Sequence, residues 1–202
     1  MELIIVRHGR PNRVENVEGT ADPSLTDIGH AQAGAVANYL CDLDIDLIVS
    51  SPMLRARQTA QPLVEKLGKE LIIVDDLIEI DKDSDTYLPM EEVKAKGGDE
   101  WQAIVDDPDS MHGDVDIEAF ADRVFAAFEE IITTNPGKTV VAFCHAMVAM
   151  SFLQRTLGYE DRYGLRIDYA SITRVQASRA GVRSVRSVNE TMHLGDKVIL
   201  TP

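Results

Sequence analysis

The chain has 202 residues, 45% of them hydrophobic and 27% charged, a globular balance that excludes a disordered, collagenous or coiled-coil protein. The formal charge of −14 argues against a general binder of nucleic acid or anionic membrane, and 5% aromatics leave no stacking platform for single strands. Two cysteines, Cys41 and Cys144, exclude a disulfide framework or zinc cluster and fit a reducing cytosol.

The N-terminal M-E-L-I-I-V-R-H is too short in its apolar run, and lacks the leading positive charge, for a signal peptide. No stretch approaches the ~18 apolar residues of a transmembrane helix, so a soluble cytoplasmic protein is expected. Leu3 to Val6 is a continuous, β-branched-rich run of the kind buried on both faces of a parallel sheet. Thr26 to Leu43 has helical spacing through Ile28, Ala31, Ala35, Val36, Tyr39 and Leu40. Asp46 to Val49 is a second strand. Met53 to Leu67 is a second helix, with Ser51 as expected N-cap and Pro52 at the first helical position. Ile117 to Thr133 is a third helix, Thr139 to Phe143 another strand, and Ala146 to Leu157 a fourth helix. Ser171 to Gln176 and Val182 to Val188 alternate around a turn at Arg179-Ala180-Gly181, which predicts an antiparallel hairpin. Its arginines Arg174, Arg179, Arg183 and Arg186 suit a charged sheet edge better than a phosphate site.

Charge is uneven along this order. Asp75 to Glu130 holds 19 acidic and four basic residues, a net of −15, while the rest of the chain nets +1. The expectation is therefore one α/β domain over residues 1–202. It is a three-layer sandwich with a mostly parallel central sheet, helices on both faces and a C-terminal antiparallel hairpin. An acidic, cap-like insertion is expected at about residues 75–135.

Polar groups follow directly where three buried strands end: Arg7-His8-Gly9, then Ser50-Ser51-Pro52 with Arg55 a helical turn on, then Cys144-His145-Ala146. Ligands of open α/β sheets bind beyond the carboxyl ends of the strands, so these segments should meet at one edge. Arginine forks match phosphate oxygens, and helix N-termini beside Ser51 and Ala146 offer N–H groups to an anion. A neutral imidazole is a capable nucleophile toward phosphorus near pH 7. Gly9 would let the backbone approach a ligand without Cβ hindrance.

In order, the chain reads R-H-G at Arg7 to Gly9, S-L-T-x-x-G-x-x-Q-A at Ser24 to Ala33, and S-S-P-x-x-R-A-x-Q-T-A at Ser50 to Ala60. L-I-E-I follows at Leu77 to Ile80 and C-H-A at Cys144 to Ala146. This pattern, spanning residues 4 to about 150, closely resembles the histidine phosphatase superfamily, the phosphoglycerate-mutase-like proteins. The resemblance implies a phosphomonoester hydrolase that uses no metal or organic cofactor. His8 would carry the phosphoryl group, Arg7, Arg55 and His145 would hold its oxygens, and Glu79 would be the proton donor, with Asp76, Asp81, Asp83 and Asp85 close by. The expected partner is a small phosphorylated substrate or a phosphopeptide, with the protein a monomer or homodimer.

The sequence departs from the family pattern at Arg10-Pro11 and at Val14, where the family's phosphate-contacting asparagine would fall. Asn12 or Asn16 is the expected substitute, and Arg10 either extends the pocket to a second anion or pairs with the acidic segment. Ile80-Asp81-Lys82-Asp83 lacks the family's glycine and glutamate, which tilts the reading from mutase-type transfer toward hydrolysis. Gly9, Arg10, Asn12, Asn16 and Ala146 are the candidate substrate contacts. A zinc site of His8, His145 and Glu79 is opposed by the fixed charge of two arginines. A non-catalytic phospho-ligand module is the other alternative. His30, His112 and His193 read as surface or loop residues, Cys144 and Cys41 as core, and Thr59 as packing against or orienting Arg55 on the same helix face.

Overall fold

The computed structural model describes residues 1–201. Six strands form one sheet: β1 (Glu2–Arg7), β2 (Leu47–Ser50), β3 (Leu71–Ile73), β4 (Thr139–Cys144), β5 (Ile172–Ala177) and β6 (Arg183–Glu190). Their order is β3-β2-β4-β1-β5-β6. The first four run parallel, and β5 and β6 are antiparallel, as expected for a mixed α/β sheet.

Alternation along β1 and β4 makes the layers. Leu3, Ile5, Val140 and Ala142 face one core, with Phe120, Val124 and Phe128 of α5 (Ile117–Thr134) and Val148 and Phe152 of α6 (Ala146–Leu157). Ile4, Val6, Val141 and Phe143 face the other core, with Val36 and Leu40 of α1 (Asp27–Leu40) and Ala60 and Leu63 of α2 (Leu54–Leu67). The continuous apolar runs of β1 and β4 are thus explained by burial on both faces. Two short helices, α3 (Met90–Lys96) and α4 (Gly98–Asp106), precede α5.

Three expectations change. α2 begins at Leu54 behind Met53 rather than at Met53 behind Ser51, although Ser51 Oγ, 2.7 Å from His145 Nε2, still accepts from the Met53 amide at 3.3 Å. β3 was not foreseen: it has three residues, and Ile72 and Ile73 lie exposed at the sheet's edge. The insertion is narrower than 75–135, because α5 is a core helix whose outward face carries the acidic charge; α3 and α4 bury only Val93. The hairpin exists, and Arg174 and Arg183 pair with Glu190, Glu2 and Glu129. No helix among the described residues is long and apolar enough to cross a membrane.

Candidate active site

The strand register assembles the site. β1 and β4 pair with Arg7 opposite Cys144, so the next residues on each chain, His8 and His145, emerge side by side. Their ring centroids are 5.1 Å apart. β2 lies against β4 with Ser50 opposite Phe143, which brings Ser51 Oγ to 2.7 Å from His145 Nε2. Arg55, in the first turn of α2, is fully buried, and His8, His145, Arg7 and Glu79 are buried with it. Residues from four distant stretches therefore share one carboxyl-end site. A surface cavity of about 490 Å³, lined by Met1, Lys138 and Ser184 among others, lies at the opposite end of β1 and β4 and plays no part in it.

Each side chain is held by specific partners. His8 Nδ1 lies 2.8 Å from the Gly9 carbonyl, which can only accept, so Nδ1 carries the proton and Nε2 keeps its lone pair. Burial and the charges of Arg55 and Arg7 hold His8 well below its usual 6.5, against the weaker pull of that hydrogen bond. His145 is lowered in the same way by burial, Arg55, His8 and Arg7. Both rings are therefore neutral near pH 7.

Arg7 donates to the Ile167 carbonyl at 2.6 Å and to Thr201 Oγ1 at 3.1 Å, and its guanidinium lies 4.0 Å from the Tyr169 ring centre. Asp168 anchors this corner by accepting from the Thr201 amide at 2.7 Å and from Asn189 Nδ2 at 2.8 Å. Arg55 stacks 4.8 Å from the Tyr87 ring centre, and its Nη2 donates to both oxygens of Asp81 at 2.8 and 3.0 Å. Among the described residues, Arg7 Nε, Arg55 Nε, Arg55 Nη1 and His145 Nδ1 are buried without a hydrogen-bond partner. Orphaned buried donors cost about 1–3 kcal/mol each. A cluster of them beside one nucleophilic imidazole marks a site built to receive an anion.

Glu79 is buried within reach of the Arg55 charge. Its Oε1 accepts from the Ile80 amide at 3.0 Å, and its Oε2 accepts from the Met147 amide at 3.1 Å. Burial and the Asp81 charge push its pKa up to about 7, against the pull of those amides and of Arg55. The sequence names five acids in this stretch; the geometry singles out Glu79 as the buried one whose proton is held near neutral pH.

Several expected contacts lie elsewhere. Gly9 packs against Gly29, where an added Cβ would fall 2.6 Å from the Gly29 carbonyl oxygen. Arg10 is committed to the first turn of α3, with Nε 2.9 Å from Glu91 and Nη2 2.8 Å from Glu92. Asn12 ties its amide to Ser24 and Leu25, and Asn16 is an exposed residue at φ 51°. The two helix N-termini already hold carboxylates. The α6 terminus beside Ala146 holds Glu79 through Met147, and the α2 terminus holds Asp22 through the Leu54 amide at 2.9 Å. Thr59 does more than pack: its Oγ1 accepts from the Gly9 amide at 2.9 Å and donates to the Arg55 carbonyl at 2.7 Å, tying the two arms of the site together. Tyr169, Asp168 and Thr201 were not foreseen, because no local motif signals them. Among the described residues no group of three or more His, Cys, Asp or Glu is placed to hold a metal ion.

A family model for the histidine phosphatase superfamily (branch 1) matches residues 3–191. Phosphoserine phosphatase 1 of Hydrogenobacter thermophilus is 29% identical over 203 residues, covering 97% of this chain and 95% of the relative. A bifunctional protein of Mycobacterium tuberculosis is 29% identical over 198 residues; 95% of this chain is covered but 54% of the relative, so the chain spans about half of that protein's length. Among solved structures, phosphoserine phosphatase from Entamoeba histolytica in complex with 3-phosphoglyceric acid superposes with a TM-score of 0.73. It is 23% identical and covers 96% of this chain and 98% of that chain. Mycobacterial glucosyl-3-phosphoglycerate phosphatase superposes with a TM-score of 0.70 at 20% identity, covering 94% and 99%.

Proposed function

The chain belongs to the histidine phosphatase superfamily, and from that premise we propose that it hydrolyses small phosphomonoesters through a phosphohistidine on His8. The observation that carries the reading is the set of buried, unpartnered donors on Arg7, Arg55 and His145 around a neutral His8. A phosphoryl group supplies the acceptors those donors lack. With Ser51 Oγ donating a hydrogen bond to His145 Nε2 across 2.7 Å, the ring proton of His145 lies on the unpartnered Nδ1, free for the anion.

In the first step, His8 Nε2 attacks phosphorus and a P–N bond forms. The ester P–O bond breaks, and the departing oxygen takes the proton of Glu79. The fixed guanidiniums stabilise the charge spread over the phosphoryl oxygens without having to move. Glu79, now ionised, accepts a proton from water as that water attacks the phosphorus. The P–N bond breaks, orthophosphate leaves, and neutral His8 and protonated Glu79 are restored. The charge on the phosphoryl oxygens is met by buried arginines, so turnover should survive chelation.

The reading is tested with a panel of phosphorylated amino acids, sugars and glycerates, with and without chelator, followed by acid-free quenching and mass spectrometry. Release of orthophosphate with a phosphoryl label on His8, and its loss in His8→Ala, is the expected result. A label on serine or cysteine, or turnover retained in His8→Ala, would overturn it.

A further inference from the structure

The Asp81 carboxylate occupies an arginine that the proposed reaction needs. Arg55 is fully buried, and its charge is met by a bidentate acceptor on the turn after Glu79, at 2.8 and 3.0 Å from Nη2. Asp81 itself is 26% exposed, so one side of it faces the guanidinium and the other faces solvent. Asp22 is the next carboxylate, 3.9 Å from Nη1, and it is already bonded to the Leu54 amide. A carboxylate spreading two oxygens over an arginine nitrogen presents the same acceptors as one edge of a phosphoryl group. Nε and Nη1 of the same guanidinium stay unpartnered, so Asp81 satisfies the arginine only in part. An anion with three oxygens can do more.

We propose that Asp81 is an internal substitute for the substrate's phosphoryl oxygens. It holds Arg55 in the free chain, yields to the phosphate on binding, and recaptures the guanidinium when orthophosphate leaves. This inference rests on the phosphatase reading above. Two consequences follow. Affinity for any phosphate is reduced by the fraction of molecules in which Asp81 holds Arg55. Product is also expelled by a residue that is always present at the exit, which limits product inhibition. Asp81 is thus a positioning residue rather than a catalytic one, and its charge also bears on Glu79. The groups around Glu79 are Arg55 on α2, Arg123 on α5, Cys144 at the end of β4 and Asp81 on its own turn.

The experiment measures orthophosphate binding by calorimetry, and orthophosphate inhibition of turnover, in the intact chain and in Asp81→Asn, with folding checked by circular dichroism. Asp81→Ser replaces the asparagine variant if that one does not fold. Competition predicts orthophosphate binding tighter by about tenfold in the variant, with a lower KM, stronger product inhibition and a kcat that does not rise in proportion. Asp22→Asn removes an equal charge from beside Arg55 without removing a hydrogen bond to it, and should change binding by less than about threefold by the same argument. Unchanged or weaker binding in Asp81→Asn would overturn the inference, because a mere clamp that orients Arg55 gives that result. Equal tightening in both variants would also overturn it, by reducing the effect to general electrostatics. A wild-type chain that binds no orthophosphate at all, in company with variants that bind none, would instead remove the phosphatase reading beneath it.

Discussion

Gly29 is the position where one added methyl group should damage fold and site together. Thr26 caps α1, and Gly29 lies in the helix's first turn, directly under the loop that carries His8. A Cβ on Gly29 would sit 2.2 Å from the Arg10 carbonyl oxygen and 3.1 Å from the Arg10 amide nitrogen. A carbon and an oxygen in contact need about 3.3 Å, so the loop and helix must part by roughly 1 Å. Three hydrogen bonds cross that gap: the Thr26 amide and hydroxyl to the Arg10 carbonyl, at 2.9 and 3.0 Å, and the Arg10 amide to Gln32 Oε1 at 2.8 Å. Stretching them while forcing backbone against backbone places the cost of Gly29→Ala at about 3 kcal/mol, within the range for overpacking plus strained buried hydrogen bonds. For a chain of this length that lowers Tm by roughly 6–12 °C. Gly9, one residue before Arg10, shares the strain and moves with it, and a displacement of about 1 Å at a nucleophile costs on the order of 100-fold in kcat/KM. Gly34 is the control on the same helix. Its added Cβ would meet nothing within 4 Å, so Gly34→Ala should gain roughly 0.5–1 kcal/mol from helix propensity and leave turnover alone. Thermal unfolding and steady-state kinetics on both variants check this. Equal Tm values for Gly29→Ala and wild type would refute the close-approach argument.

Further outcomes follow from protonation. The pKa of Glu79 in the folded chain, about 7, lies above its ordinary 4.5, so between these values the folded state holds the extra proton. Its contribution to stability is therefore fully present below about 4.5 and lost as pH rises through about 7, a slope that Glu79→Gln should flatten in a Tm-against-pH series. As proton donor to a departing alkoxide, Glu79 should also give kcat/KM a limb that falls above about pH 7. Glu79→Gln should lose about 100-fold or more on an alkyl phosphate and far less on nitrophenyl phosphate, whose leaving group needs no proton. Equal losses on the two substrates would count against the role. Burial raises the Cys144 thiol far above its usual range, while Cys41 is partly exposed, so iodoacetamide on the native chain should mark Cys41 alone by peptide mass mapping.

How much of this was legible in the sequence follows from where each signal lives. The strands of the parallel core were readable because residues such as Leu3 to Val6 and Val140 to Phe143 are apolar on both faces, and a buried strand has no alternative composition. The meeting of His8, Ser51 and His145 was readable too, since each follows such a strand and strands of a parallel sheet end at one edge. Charge counting misled at α5, because an amphipathic core helix has a solvated face, and the acids on that face were merged with those of α3 and α4. Ser51 misled in the opposite way. A serine before Pro52 reads as an N-cap, yet its hydroxyl has a stronger claim on it from a histidine 94 positions later. The clamp on Arg7 lay beyond reach, because Ile167, Asp168 and Thr201 act from more than 150 residues away and no short pattern encodes that pairing.

The arrangement of charge explains why so buried a site can exist before any ligand arrives. Two guanidiniums with little or no contact with water would be costly if left without counter-charge or polarisable neighbours. Arg7 is met by two oxygens and the face of Tyr169, with no carboxylate among the described residues in contact with it; Arg55 is met by Asp81 and the face of Tyr87. Each arginine is thereby stabilised enough to fold, while four buried donors in the site remain open. Satisfying all of them internally would have made a more stable protein with no appetite for an anion. Leaving Arg55 without Asp81 would have left only Asp22, 3.9 Å from Nη1, to offset a buried charge in every molecule without ligand. The partial satisfaction seen here sits between those limits: burial and the two guanidiniums lower the basicity of His8, burial and Asp81 keep the proton on Glu79, and donors of Arg7, Arg55 and His145 stay free for an anion.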